Sequence, residues 1–355
     1  MSPVPPSGPE GERPSPERFP IDDGRVYGAY IAGRRSAAVA AGVRAGLFDR
    51  LAAAPGGLSS DDVSAALGWS ARGTRSMLVA LQASGLVELE SERWRASADA
   101  AAYLTRGTPG SLWGLVDMEV DHFLSPEKLL DALERDDSSV YGGGDPWAAH
   151  EEDPAKARAF TAAMHSVSER PAAGFAERFA DFGGPVAGRL LDVGGGSGAL
   201  SIAAAQRHAD LRCTIFDIAP VCPIAGEYVA AAGVSDRVDA RAGNMFEDAW
   251  PTGYDAILLS QILHDWSFET GAELLSKAHA ALAPGGRILI HEKLVEDGAP
   301  RPVENALVHL DMLVWTQGQQ YTPSELSAAL EAAGFTGVER TRTTGLWSVV
   351  AATRR

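Results

Sequence analysis

Leu190-Leu191-Asp192-Val193-Gly194-Gly195-Gly196-Ser197-Gly198 decides how this chain folds. An apolar strand carrying one acid runs into a turn built on four glycines, and a helical segment, 199–208, follows. Glycine lets the backbone turn sharply and approach a ligand with no Cβ in the way. The helix start then offers unpaired N–H groups to an anionic part of that ligand. If a ribose is bound, a carboxylate is expected at the end of the next strand. Asp217, in Thr214-Ile215-Phe216-Asp217-Ile218, stands nineteen residues after Gly198, where it could accept both ribose hydroxyls. The order of glycines departs from the G-x-G-x-x-G dinucleotide fingerprint, and no Walker lysine follows, which argues against a nucleoside triphosphate.

Outward from this turn, residues 190–193, 212–216, 238–242, 256–259 and 287–291 read as strands. Helices fall near 199–208, 222–232, 269–282 and 301–315. Such alternation predicts an α/β fold, a parallel sheet with helices on both faces. Residues 337–342, a turn at Thr344-Gly345, and residues 347–352 read as a closing hairpin. Upstream, 26–102 is helical and alanine-rich. Tyr30, Val39, Val43, Leu47, Phe48 and Leu51 recur at the three-and-four spacing of one buried helix face. Ser59 or Ser60 is placed to cap a helix whose first turn holds Asp61 and Asp62. Another helix, 74–84, ends at Gly85, and 86–89 with 93–95 alternate as two short strands, completing a winged-helix pattern. The chain thus divides into a proline-rich loose tail (1–20), a winged-helix domain (21–110), a helical linker (111–180) interrupted by a loop at 141–146, and an α/β domain (181–355).

A chain of 355 residues is too long for one ordinary core. With 31 Lys and Arg against 47 Asp and Glu, the net charge is −16, which opposes nonspecific binding to nucleic acid or an anionic membrane. The recognition-helix position, 71–84, carries only Arg72 and Arg75, so pairing with a second copy of the chain explains the apolar helices better than DNA does. No apolar run approaches the ~20 residues that span a bilayer. No secretion signal opens the chain, so a cytoplasmic location is expected. Cys213 and Cys222 are too few for a disulfide framework or a four-thiolate zinc site.

Residues 191–198 resemble the first motif of S-adenosylmethionine-dependent methyltransferases. Leu263-His264-Asp265-Trp266-Ser267 and Ala283-Pro284-Gly285-Gly286-Arg287 resemble later motifs of one subgroup: the small-molecule O-methyltransferases of the plant caffeate and acetylserotonin type, with bacterial natural-product relatives. The resemblance runs from about residue 30 to 355. It implies a Rossmann-like class I methyltransferase domain behind a winged-helix dimerisation domain, a homodimer, S-adenosylmethionine as cofactor and a small, aromatic acceptor. It places Asp192, Gly194, Gly196 and Gly198 around the methionine part of the cofactor and Asp217 on the ribose. Asn244-Met245-Phe246 stands where the family has Asp-Met-Phe beside the adenine, and Asn244 keeps a carbonyl acceptor for the adenine amino group. Ser260 stands where family members often have a lysine, and Trp266 would cover the adenine face.

A neutral phenol is a poor nucleophile, and an imidazole suits the task of taking its proton. His264 follows a strand at the carboxyl edge of the sheet, and the resemblance makes it the general base. Glu292 matches one of the two acids that orient this base; Gln320 replaces the other and cannot stabilise an imidazolium by charge. Asp265 is adjacent in sequence, and neighbours seldom point the same way. A second reading treats His264, Glu292 and His309 as metal ligands, with Gln320 a possible oxygen ligand, in metal-dependent C-methylation of a 2-oxo acid. A non-catalytic or pericyclic protein would retain the glycine turn as well. The acceptor pocket is expected from Trp113, Met118, Phe160, Met164, His165, His309, Met312, Leu313 and Trp315, an apolar, adaptable wall.

Overall fold

The computed structural model describes residues 21–123, 125–135, 138, 140, 150 and 153–355. The proline-rich tail 1–20 and the loop at 141–146 lie outside the described residues.

The amino-terminal part is a set of helices with a two-stranded wing. A long helix, Gly24–Ala45, stops at Gly46, whose φ of 73° is left-handed, and a short helix, Leu47–Ala52, restarts at an angle. The break divides the face expected to be continuous. Val43, Leu47, Phe48 and Leu51 are buried, whereas Tyr30 is 64% exposed. The first half of the long helix extends beyond the core and leaves Val26, Tyr27, Tyr30 and Ile31 on the surface. Ser59, rather than Ser60, caps the helix Ser60–Leu67. Its hydroxyl accepts from the Asp62 amide at 3.1 Å while the Asp62 carboxylate accepts from the Ser59 amide at 2.9 Å, a reciprocal cap worth about 1 kcal/mol. The helix Ala71–Ala83 and the strands β1 (Val87–Glu90) and β2 (Arg93–Ala96) complete the winged-helix arrangement. Leu78, Leu81, Val87 and Trp94 seal its core.

The carboxy-terminal part is a seven-stranded sheet. Its members are β3 (Ala187–Val193), β4 (Asp210–Asp217), β5 (Val238–Ala242), β6 (Tyr254–Ser260), β7 (Leu282–Lys293), β8 (Phe335–Arg342) and β9 (Trp347–Arg354), in the order β5-β4-β3-β6-β7-β9-β8. The first five in sequence run parallel; β9 pairs antiparallel with β7 and with β8, the expected hairpin. Central strands such as Ile257–Leu259 are buried on both faces, as a parallel sheet covered by two helical layers requires. The helices Ala199–Arg207 and Val221–Ala231 cover one face, and Phe268–Ala281 with Pro323–Ala332 cover the other. The last of these was not anticipated. Its signals are nonetheless local: Thr322 caps it reciprocally with Glu325, and Pro323 occupies the first turn.

Between the two parts, the helices Trp113–Phe123 and Pro154–Glu177 pack on each other, the first against Gly24–Ala45 and the second against Ala199–Arg207. Trp113 serves this junction instead of the acceptor pocket: its indole N–H donates to the Val43 carbonyl at 3.1 Å.

Candidate active site

β3 and β6 are neighbours, but the chain leaves β3 toward β4 and leaves β6 toward β7. Such a switch opens a crevice at the carboxyl ends of the strands. A cavity of about 640 Å³ occupies it, reaching from the glycine turn to the helices Trp113–Phe123, Pro154–Glu177 and Val303–Trp315.

The turn after β3 needs its glycines. Gly194, Gly196 and Gly198 have φ of 65°, 57° and 75°, a region that costs any other residue strain. A Cβ on Gly194 would also strike the Ile262 side chain, and one on Gly198 that of Ile215. The turn folds around two acids, the buried Asp192 and the half-buried Asp217. Asp192 accepts from the Ser201 hydroxyl at 2.7 Å. Asp217 accepts from the Gly196 amide at 2.8 Å and from the Ile218 amide at 2.7 Å. Burial pushes Asp192 up to about 7 and Asp217 up to about 6, so both acids gain from a ligand that brings positive charge or hydroxyl donors.

Asp192, Gly194, Gly196, Asp217 and Ser260 line the cavity, whereas Gly198 sits behind them at the start of Ala199–Arg207. The residues expected at the adenine are placed differently. The Asn244 side-chain carbonyl accepts from the chain's own Phe246 amide at 2.8 Å, because the segment after β5 closes on itself as an Asx turn. Met245 and Trp266 pack against the core beneath the sheet, the indole edge-on to Phe246 at 4.6 Å. None of the three lines the cavity.

A single turn of tight helix, Leu263–Asp265, follows β6 and carries His264 to the cavity wall, 9% exposed. Behind it, Nδ1 lies 2.7 Å from the Gln320 side-chain amide nitrogen and 3.4 Å from Oε2 of Glu292. Glu292, at the end of β7, is fixed by the Ile262 amide, which donates to its Oε1 at 3.1 Å. Asp265 does turn toward the ring, contrary to expectation for an adjacent residue, with Oδ1 3.5 Å from Nε2. The tightness of the turn brings the two side chains together. Burial, followed by the nearby Lys293 charge, pushes His264 down to about 3; burial raises Asp265 to about 8 and Glu292 well above the usual carboxylate range. Without a ligand the imidazole is therefore neutral, able to take a proton, beside acids that hold theirs.

Met118, Phe160, Met164, Met312 and Trp315 line the apolar part of the cavity. His165 does not. Its Nδ1 lies 2.8 Å from the Ser197 hydroxyl and its ring stacks on Tyr228 at 3.9 Å, so it braces the glycine turn from outside. His309 and Leu313 are also displaced. On Val303–Trp315 the residues facing the cavity are Val308, Asp311, Met312 and Trp315, one stripe of a 3.6-residue period, which turns His309 and Leu313 toward a separate depression shared with Trp266. His309 Nδ1 meets the Gln320 backbone carbonyl at 3.3 Å. The set His264, Glu292 and His309 thus does not converge, and among the described residues no three His, Cys, Asp or Glu side chains are grouped to hold a metal. Sequence reasoning missed Glu119, Lys293 and Asp311, which line the cavity. The helical period through Met312 and Trp315 points to Asp311.

Residues 127–336, more than half of the chain, match the model of the O-methyltransferase domain, and residues 30–106 match the O-methyltransferase dimerisation domain. The chain belongs to the O-methyltransferase family. It is 36% identical over 304 residues to a 3-hydroxy-5-methyl-1-naphthoate 3-O-methyltransferase of Streptomyces sahachiroi, covering 85% of this chain and 86% of that one. A tetracenomycin polyketide synthesis 8-O-methyl transferase of Streptomyces glaucescens is 31% identical, covering 87% and 90%. Among solved structures, human N-acetylserotonin methyltransferase in complex with SAM matches with a TM-score of 0.84 at 25% identity, covering 94% of this chain and 98% of that one. The protein is an S-adenosylmethionine-dependent methyltransferase with an amino-terminal dimerisation domain. Among its described residues no helix is long and apolar enough to cross a membrane.

Proposed function

We propose that this methyltransferase methylates a hydroxyl of a small aromatic natural product, with His264 as general base. One observation carries the reading: the buried His264 imidazole opens on the same cavity as the glycine turn and Asp217. Bound there, S-adenosylmethionine supplies a methyl group on a positively charged sulfur. The residues present fit its methionine and ribose parts. Asp192 and the glycine backbone would face the former, and the carboxylate of Asp217 the ribose hydroxyls, relieving two acids that burial otherwise holds near neutrality. The Asn244 carbonyl already accepts from the Phe246 amide, which leaves it one lone pair for the adenine amino group.

On the acceptor side, Met118, Phe160, Met164, Met312 and Trp315 exclude water around a flat ring. The acceptor hydroxyl gives its proton to Nε2 of His264, the nitrogen left after Gln320 and Glu292 have engaged Nδ1. The carboxyl oxygens of Glu292 and Asp265, 3.4 Å and 3.5 Å from the ring nitrogens, orient the ring as it takes the proton. The naphthoate and tetracenomycin enzymes, both O-methyltransferases by name, support an aromatic acceptor of this kind. The exposed Val26, Tyr27, Tyr30 and Ile31 would be covered by a second copy of the chain. His264→Ala should lower kcat by at least ~100-fold while the affinity for S-adenosylhomocysteine, read by calorimetry, stays within about twofold. Unchanged turnover in that variant refutes the base assignment.

A further inference from the structure

The cavity is apolar over most of its wall. Asp192 and Asp217 at the glycine turn and Asp265 beside His264 line it, as does Arg170, whose guanidinium lies over the Tyr103 ring and is not among the charges felt at the carboxyls below. Besides these, three charged side chains from three different elements open into it: Glu119 from Trp113–Phe123, Lys293 from the end of β7, and Asp311 from Val303–Trp315. Lys293 and both carboxyls line the same cavity as His264, so the group shares the wall of the base. It is close enough that the Lys293 charge is felt at His264 and at both carboxyls. Among the described residues, neither carboxylate makes an ion pair within 4.0 Å of Lys293 or accepts a hydrogen bond. The ammonium instead lies over the Trp347 ring, 5.0 Å from its centre.

Charged groups brought into an apolar cavity lose hydration, and an unbalanced set is costly. Two carboxyls face one ammonium here, so the set is one positive charge short. The two acids respond as unbalanced acids do: burial and mutual repulsion push Glu119 up to about 7, and burial pushes Asp311 up to about 6. An anionic group placed among them would pair with Lys293 but add to the surplus. A neutral group would leave it uncorrected. A protonated amine balances the set, because both carboxylates ionise against two ammonium groups and the like charges are separated by unlike ones.

We propose that the acceptor carries a cationic nitrogen seated between Glu119 and Asp311, with its methylated hydroxyl directed at His264. This rests on the reading of the cavity as the acceptor site and adds a chemical class to it: amine-bearing phenols, in preference to neutral phenols or phenolic acids. Lys293 keeps the pair of carboxyls from drawing in a free metal cation or a second amine, and its position over Trp347 leaves room for the ligand's ammonium.

The test is calorimetry on the S-adenosylhomocysteine complex with three probes that share a phenol ring and a two-carbon chain and differ in the group at its end: tyramine, 4-ethylphenol and 3-(4-hydroxyphenyl)propionate. Tyramine should bind about tenfold or more tightly than 4-ethylphenol, and the acid more weakly than either, as charge-assisted pairing predicts. The double variant Glu119→Gln, Asp311→Asn should erase the tyramine preference while leaving 4-ethylphenol and S-adenosylhomocysteine affinities within about threefold. Equal or weaker binding of tyramine, including no measurable binding, overturns the inference, as does a preference that survives in the double variant. Met164→Trp, which fills the apolar end, distinguishes the underlying reading. If 4-ethylphenol binds and this variant does not weaken it, the cavity is not the acceptor site. If the variant weakens it and tyramine has no advantage, the site stands and the amine class falls.

Discussion

The side-chain amide of Gln320 stands 2.7 Å from Nδ1 of His264, and both side chains are buried. With its nitrogen toward the ring, the amide donates into Nδ1, the proton sits on Nε2, and the Gln320 carbonyl is left buried without a partner. Turned about, the carbonyl accepts from Nδ1–H and frees the Nε2 lone pair for the acceptor. The second orientation yields the tautomer that can act as base, and its Nδ1–H also faces Oε2 of Glu292, 3.4 Å away. Gln320 therefore fixes the ring without supplying charge. Gln320→Glu places a carboxylate there and should favour the imidazolium, moving the acid limb of the kcat–pH profile up by about one unit and raising kcat several-fold. Gln320→Leu should lower kcat about tenfold with cofactor affinity unchanged. Superimposable profiles for all three proteins would show that this position does not tune the base.

Much of this arrangement was legible before the structure. The glycine turn, the alternation after it and the acid at Asp217 are local patterns, and local patterns fix strands, helices and the ends of strands. The strand before His264 put this imidazole on the carboxyl edge, and the spacing to Glu292 put its neighbour on the next strand. What failed were inferences about direction. His165, His309 and Leu313 lie on the right helices but on the wrong faces, because rotation about a helix axis is set by packing between helices and not by residue type. Asn244 kept a suitable acceptor atom, yet its short side chain is satisfied by its own backbone, a competition that residue identity alone does not resolve. Glu119, Lys293 and Asp311 come from three separated segments, so only the tertiary fold assembles them.

His165 yields a prediction about the cofactor rather than the acceptor. It holds Ser197 inside the glycine turn through a 2.8 Å hydrogen bond and is itself held by stacking on Tyr228. His165→Phe keeps the stack and removes the hydrogen bond, whose net worth is about 1 kcal/mol. The dissociation constant for S-adenosylhomocysteine should rise about fivefold, while KM for the acceptor at saturating cofactor stays the same. A rise confined to the acceptor KM would return His165 to the acceptor wall.

Two glycines with similar backbone strain separate conformation from contact. Gly198 and Gly337 have φ of 75° and 64°, but a Cβ on Gly198 collides with Ile215, whereas one on Gly337 meets nothing within 4 Å. Gly337→Ala should cost about 1 kcal/mol from strain alone. Gly198→Ala should cost more, about 2–4 kcal/mol, from strain together with overpacking against β4, and should also weaken cofactor binding. Denaturant titration and calorimetry of both variants measure the difference. Equal losses would mean that Ile215 yields without disturbing the turn.

The buried acids set how stability varies with pH. Burial raises Asp192 to about 7 and Asp265 to about 8, above their unfolded value of 3.8. For an acid with a raised folded pKa, the folded state binds more protons than the unfolded one, so stability is lost as pH rises through the folded pKa. His264 and His291, held down to about 3, have the opposite sign, but their window closes near 6.5, above which they are neutral in both states. Between pH 6.5 and 8.5 the raised acids, Glu119 and Glu292 among them, outnumber the lowered Lys277 and Lys293 that work against them, and the enzyme should lose on the order of 2 kcal/mol. Its Tm should fall across this range. Asp265→Asn removes a group that titrates at about 8 and should flatten the upper half of the decline, from about pH 7.5 upward. Melting curves at half-unit intervals for both proteins test this, and a Tm that rises with pH in this interval would mean that the acids are ionised in the folded protein despite their burial.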